Sequence, residues 1–124
     1  MKGFNNYTER EEFSIFKKFF LDHGRCKEMK KKEYFAEQGI VTTHAAYVEK
    51  GMFRYVCTDE NGCEHIVGYA FAGEYVGDYP QCIKKEKAIV SIQATTDSLI
   101  YYASAQEITN FFPPTNLLRN WKKF

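Results

Sequence analysis

The 124-residue sequence contains no long apolar run, only three prolines and almost no net charge. A helix that spans a bilayer needs about 20 consecutive apolar residues, which are missing here, and no signal-peptide-like segment follows the initiating methionine. With 17 basic and 16 acidic residues, the composition indicates no general attraction to nucleic acids or membrane surfaces. We therefore expect a cytoplasmic protein without a membrane partner.

Motifs for metal binding and catalysis are also missing. The cysteines form no C-x-x-C pair, and the histidines form no H-x-H or H-E-x-x-H motif. There is no nucleophile elbow and no P-loop. The sequence therefore predicts reduced thiols, structural or exposed histidines, no metal site and no enzyme. The cysteines and histidines of the chain are Cys26, Cys57, Cys63, Cys82, His23, His44 and His65.

Aromatic residues are abundant, with 11 Phe and 9 Tyr, as is typical of a packed β core. The length predicts one domain over residues 1–124. Thr8 to Glu11 fits a helix capping box, and phenylalanines then recur at helical spacing until His23-Gly24. We predict an N-terminal helix over 8–22 whose aromatic stripe (Phe13, Phe16, Phe19 and Phe20) docks on the rest of the domain.

Short β-rich segments separated by turns fill residues 26–103. The segments Met52 to Thr58 and Cys63 to Phe71 flank Asn61-Gly62, a dipeptide that suits a type I′ hairpin turn. Cys57 and Cys63 would then be out of register for a disulfide. Further strands are predicted at 88–94 and 99–103. This spacing predicts a mainly β protein with flanking helices, folded as a double-sheet jelly roll or barrel.

The segment from Phe71 to Ala94 combines tight-turn residues with a basic loop and a β-branched strand. Gly73 and Gly77 are four residues apart, and Asp78, Tyr79 and Pro80 follow. Glycine before an acid and a proline favours a tight turn into a short helix, whose first amide groups can hold an anion. Lys84, Lys85 and Lys87 come next, either as anion ligands or as a solvated loop.

This segment resembles the phosphate-binding cassette of the cyclic-nucleotide-binding domains in CRP/FNR bacterial transcription regulators. The family pattern F-x-G-x-x-x-G-E-x places its second glycine on Gly77 and its ribose-binding acid on Asp78. Its strand alanine falls on Ala94. Residues 27–39 (KEMKKKEYFAEQG) and 46–55 (AYVEKGMFRY) are similar to two scaffold motifs of the same family. The resemblance implies the family's double-stranded β-helix, a jelly roll, and a ligand site at Gly77, Asp78, Tyr79, Pro80, Ala88 and Ile89.

The sequence departs from the family at the phosphate-binding pair. The family's Arg and its hydroxyl neighbour fall on Ala88 and Ile89, whose side chains cannot bind phosphate. A charge-assisted hydrogen bond of this kind contributes about 1.5–3 kcal/mol, so its loss weakens cyclic-nucleotide binding roughly tenfold to a hundredfold. The ligand implied is therefore either a cyclic nucleotide such as cAMP, held without the Arg, or another small metabolite.

Residues 104–124 are predicted to begin a C-terminal helical segment. Ser104 to Phe111 has helical character, Pro113-Pro114 interrupts it, and four apolar residues then recur on one helical face. In the resembling family a dimerisation helix begins here and a helix-turn-helix domain follows it. We therefore expect a homodimer that contacts DNA only through a helix-turn-helix absent from this sequence. The four apolar residues are Leu117, Leu118, Trp121 and Phe124.

Three functional hypotheses follow. The first is a sensor domain that binds a small-molecule effector in the barrel and shifts the packing of the C-terminal helix. The second is a module whose pocket is vestigial, filled by Ala88 and Ile89, and which acts by homodimerisation. The third is a cupin-like barrel enzyme, which His44 and His65 alone do not equip with a metal site.

Overall fold

The structure is a computed structural model and describes residues 14–77 and 84–112. Within those residues, helix α1 covers 14–23 and precedes a series of short strands. The strands are β1 (Arg25–Met29), β2 (Tyr34–Ala36), β3 (His44–Lys50), β4 (Met52–Thr58), β5 (Glu64–Phe71), β6 (Tyr75–Val76), β7 (Ser91–Ala94) and β8 (Ser98–Ser104). Helix α2 (Ala105–Phe111) follows β8 directly.

The strands form two four-stranded antiparallel sheets, ordered β1-β8-β3-β6 and β2-β7-β4-β5. Most neighbours in each sheet are distant in sequence, as in a jelly roll. The core between the sheets contains Val48 and Ile100 from the first sheet, and Phe53 and Ile92 from the second, all fully buried. The predicted mainly β jelly roll is confirmed.

Helix α1 packs on the outer face of the first sheet. Phe16, Phe19 and Phe20 are buried in a cluster that also includes Tyr47 and Tyr75. The helix continues one residue beyond its predicted end, and the Gly24 amide donates to the Phe20 carbonyl at 2.8 Å where it stops. The aromatic stripe is therefore a packing face, as its helical spacing predicts. Thr8 to Glu11 and Phe13 lie outside the described residues.

The β4–β5 hairpin forms where the sequence predicts it, but the predicted type I′ turn is wrong. Only Gly62, with φ of 84°, adopts the left-handed conformation that such a turn also requires of Asn61. The Gly62 amide donates to the Asp59 carbonyl at 3.0 Å. The Asp59 carboxylate accepts from the amides of Asn61 and Cys63, each at 2.9 Å. These side-chain bonds favour a longer loop in which only the last residue needs positive φ.

The thiols of Cys26, Cys57 and Cys63 are free. In the hairpin, Cys57 lies opposite His65, so the register separates it from Cys63 as predicted.

Two predicted boundaries differ from the structure, namely the start of the strand after the cassette and the start of the C-terminal helix. Strand β7 begins at Ser91 rather than at Ala88, because the preceding residues bond to the 39–42 segment. The Gly39 amide donates to the Ala88 carbonyl and the Ala88 amide donates to the Ile40 carbonyl, each at 2.8 Å. Helix α2 lies within the predicted 104–111 range, with Ser104 as its N-cap. Residues 113–124 lie outside the described part of the chain.

Candidate functional site

The cassette begins with a turn that is fixed to β3. The Gly73 amide donates to the Val48 carbonyl at 2.8 Å, and the Val48 amide donates to the Glu74 carbonyl at 2.9 Å. The Glu74 carboxylate accepts the Phe71 amide at 2.8 Å. Glu74 therefore stabilises the turn itself.

Strand β6 continues the cassette and packs beneath α1. Tyr75 is buried, and its ring centroid lies 5.6 Å from that of Phe20 and 6.1 Å from that of Phe16. Burial, together with the neighbouring Tyr47, raises the pKa of the Tyr75 phenol far above its ordinary value. The phenol is therefore neutral, and its ring is part of the helix-docking surface.

Gly77 ends this part of the cassette in a tightly packed position. It is buried with φ of 135°, and a Cβ built on it would lie 3.1 Å from Ala45. Its amide donates to the Tyr55 hydroxyl at 3.4 Å. Gly77 is thus held between β3 and β4, at the point where the chain enters the segment predicted to bind the ligand. Asp78, Tyr79 and Pro80 of that predicted site lie outside the described residues.

The two positions aligned with the family's phosphate-binding pair differ in exposure. Ala88 is 3% exposed, and its backbone bonds to the 39–40 segment on both sides. Ile89 is 62% exposed. The two apolar side chains therefore do not form a joint plug in the interior. Neither position carries a charge or a hydrogen-bonding side chain.

The basic loop before Ala88 is open to solvent. Lys84, Lys85 and Lys87 are all exposed. Lys87 forms an antiparallel bridge with Val41, which brings the loop alongside the 39–42 segment. The backbone of this loop is therefore anchored at its end, next to Ala88.

The histidines are separated in the fold. His23 and His65 are exposed, while His44 is half-buried on β3. Burial, followed by the nearby Arg25 charge, lowers the pKa of His44. Among residues 14–77 and 84–112, no group of three or more His, Cys, Asp or Glu side chains is placed to hold a metal ion. In the same part of the chain, no helix has the length and apolar character to cross a bilayer.

Two tyrosines contribute to the cassette in ways that the sequence did not reveal. Tyr55 supplies a hydroxyl to Gly77, and Tyr75 connects the cassette to α1. Both belong to aromatic-rich segments, in which a site tyrosine resembles a core tyrosine. The position of Tyr75, two residues before Gly77 in the cassette, is the one local signal that could have suggested its role.

A two-sheet antiparallel roll, with a cassette that begins at the Gly73 turn and includes β6, is typical of a class of ligand-binding regulatory domains. The cyclic nucleotide-binding domain family matches residues 26–113, and the chain belongs to this family. No curated protein matches the sequence significantly.

Solved structures with the same fold include three bacterial regulators. The Thermus thermophilus catabolite activator protein has a TM-score of 0.73 at 16% identity, over 86% of this chain and 50% of that one. The c-di-GMP-responsive global regulator CLP of Xanthomonas campestris has a TM-score of 0.70 at 20% identity, over 86% of this chain and 51% of that one. The sensor domain of the Pseudomonas aeruginosa transcriptional regulator DNR has a TM-score of 0.62 at 16% identity, over 70% of this chain and 58% of that one. The resemblance to CRP/FNR sensor domains is confirmed, and the chain spans about half the length of these proteins.

Proposed function

We propose that this chain is the effector-sensing domain of a CRP/FNR-like transcription regulator and works in the cytoplasm. The effector binds against Gly77, Asp78 and the residues that follow, Tyr79 and Pro80, on the side bounded by Ala88 and Ile89. The domain itself performs no catalysis. DNA contact belongs to a helix-turn-helix domain outside this sequence.

The proposed ligand class rests on the residues at positions 88 and 89. Ala88 is buried and hydrogen-bonded through its backbone, and Ile89 extends into solvent. A phosphate at this place would therefore lack the bidentate cationic partner that gives charge-assisted bonds their strength. The ligand that fits best is a small metabolite with less charge than a cyclic mononucleotide. The CLP regulator, which responds to a cyclic dinucleotide, supports a wider ligand range for the fold.

The contacts between the cassette and the helices supply a route for the signal. Tyr75 contacts Phe16 and Phe20 on α1. The ring of Phe16 in turn lies 4.8 Å from that of Phe112, just after α2. A ligand that moves the cassette would therefore change the packing at the end of α2, where the C-terminal segment begins. The ligand must favour one helix arrangement over the other for this shift to occur.

The direct test is a thermal-shift panel followed by titration calorimetry. The panel contains cAMP, cGMP, c-di-GMP and uncharged or singly charged metabolites. A ligand that binds only the folded protein raises its melting temperature. We expect a clear shift from at least one weakly charged metabolite, and Asp78→Ala should weaken binding if that ligand carries a ribose. A shift from cAMP alone, at micromolar concentration, would contradict the proposed ligand class.

A second candidate function is a homodimeric module that uses no ligand. Strand β5 lies at the edge of its sheet and exposes Ile66, Val67, Tyr69 and Phe71 by about half or more. Edge strands with exposed apolar side chains pair readily with other chains. Because a sensor domain is also expected to dimerise, sedimentation analysis with and without each ligand of the panel distinguishes the two functions. A stable dimer that no ligand in the panel perturbs would favour this second function.

A further inference from the structure

We propose that the cleft between β1, β2, β3 and β8 is a second effector site, which takes a small planar aromatic anion. Two adjoining cavities, of about 220 and 230 Å³, share Tyr34, Phe35 and His44 as walls. Neither cavity is lined by Gly77 or Ala88. The first cavity adjoins the end of the cassette, because its lining residues Ile40 and Val41 bond to Ala88 and Lys87.

The walls of the cleft are suited to a flat ring. Buried Met29 and Ile100 belong to its lining, which also includes the rings of Tyr34, Phe35 and Tyr102. Tyr34 remains 44% exposed, so part of its side chain is accessible to a ligand. An offset or edge-to-face contact between two aromatic rings contributes binding free energy in addition to that of the buried area. Ligand sites are mostly apolar and aromatic with a few polar groups, as is the cavity lined by Met29 and Ile100.

The charges around the cleft favour an acidic group on that ring. Lys27 is exposed and lines the cavity on its β1 side. The Arg25 guanidinium lies 5.1 Å from the centroid of the Tyr102 ring, and this ring lines the cavity. Glu37 lines only the adjoining cavity. Because Arg25 is also paired with the Glu107 carboxylate at 3.5 Å, the positive charge that faces the cavity comes mainly from Lys27.

The cleft is connected to α2 through two consecutive residues. The Thr43 hydroxyl lies 2.8 Å from His44 Nδ1, and the Thr43 carbonyl accepts the Ala105 amide at 2.8 Å. Arg25 also reaches the Glu107 carboxylate at 3.5 Å in the first turn of α2. A ligand that displaces the His44 ring or the Arg25 side chain would therefore act directly on the start of α2. The cassette, in contrast, contacts the end of that helix through α1.

The test is an amide NMR titration of the protein with indole-3-acetate. We expect shifts at residues 34–36, 44 and 100–102 that extend to 105–107, with 73–77 unaffected. Indole-3-acetamide removes the charge and should bind about threefold more weakly, as for an exposed ion pair. Cyclohexylacetate keeps the charge without the aromatic ring and should also bind several-fold more weakly.

Matched variants locate the site. Tyr34→Ser should weaken indole-3-acetate about fivefold, through loss of an accessible ring. Tyr69→Ser removes a tyrosine of similar exposure, 50% against 44%, from β5 and should leave the affinity unchanged. Equal effects of the two variants, or no shifts at 34–36 and 44 up to about 10 mM probe, would overturn the proposal. Shifts confined to 73–77 would also overturn it, while leaving the cassette function intact.

Discussion

Gly77 and Ala45 are so closely packed that a Cβ on Gly77 would lie 3.1 Å from both the Cα and the Cβ of Ala45. Ala45 is fully buried on β3 and cannot move aside without shifting the strand. Gly77 also has φ of 135°, which side chains rarely tolerate. This contact fixes the start of the predicted ligand-binding segment against the first sheet.

Gly77→Ala should therefore destabilise the protein by about 2 kcal/mol or more, from backbone strain and the contact with Ala45. Gly73→Ala is the matched control, because Gly73 also has positive φ but its Cβ would meet nothing within 4 Å. Urea unfolding of both variants measures the difference. Equal losses would show that the close approach to Ala45 contributes nothing.

Phe20→Ala should destabilise the domain by about 3–5 kcal/mol, because Phe20 is fully buried among the rings between α1 and the sheet. The adjacent Leu21 is 39% exposed, and Leu21→Ala should cost far less. Chemical denaturation followed by circular dichroism gives both values. A small effect of Phe20→Ala would mean that α1 is not docked through its aromatic stripe.

Ser104→Ala should destabilise the start of α2 by about 1 kcal/mol. The Ser104 hydroxyl accepts the Glu107 amide at 3.1 Å, while the Glu107 carboxylate accepts the Ser104 amide at 2.9 Å. The variant removes the first of these bonds. Faster hydrogen exchange at the Glu107 amide is the expected local readout, and unchanged exchange would contradict the capping role.

The contribution of Glu107 should depend on pH. The hydrogen bond from the Ser104 backbone, followed by the Ser104 hydroxyl and the Arg25 charge, lowers the pKa of this carboxyl from its ordinary 4.5. A lowered pKa in the folded state means that the stabilisation is complete above pH 4.5 and is lost as the pH falls through the folded value. Wild type should exceed Glu107→Gln in stability at pH 7, and the difference should shrink as the pH falls below 4.5. A constant gap would contradict this linkage.

Local patterns predicted the elements that depend on neighbouring residues. The spacing of phenylalanines predicted α1, and two β-rich segments around Asn61-Gly62 predicted the β4–β5 hairpin. The turn type was wrong because the Asp59 side chain bonds to two loop amides, an interaction that the dipeptide alone does not reveal.

Features that depend on distant residues could not be predicted in this way. Strand β6 has two residues and exists through its pairing with β3. The burial of Ala88 depends on bonds to the 39–42 segment, almost 50 residues earlier in the chain. The cleft at His44 combines β1, β2, β3 and β8. Residue types at these positions were visible in the sequence, but their proximity arises only from the jelly-roll topology.

The most direct test of the central claim is calorimetric titration of cAMP and cGMP into wild type and into the double variant Ala88→Arg with Ile89→Ser. We predict that wild type binds both nucleotides roughly tenfold to a hundredfold more weakly than the double variant, which regains a phosphate partner. Micromolar binding by wild type, with no gain in the double variant, would contradict the claim. It would mean that backbone amides and Asp78 hold a cyclic nucleotide without the Arg.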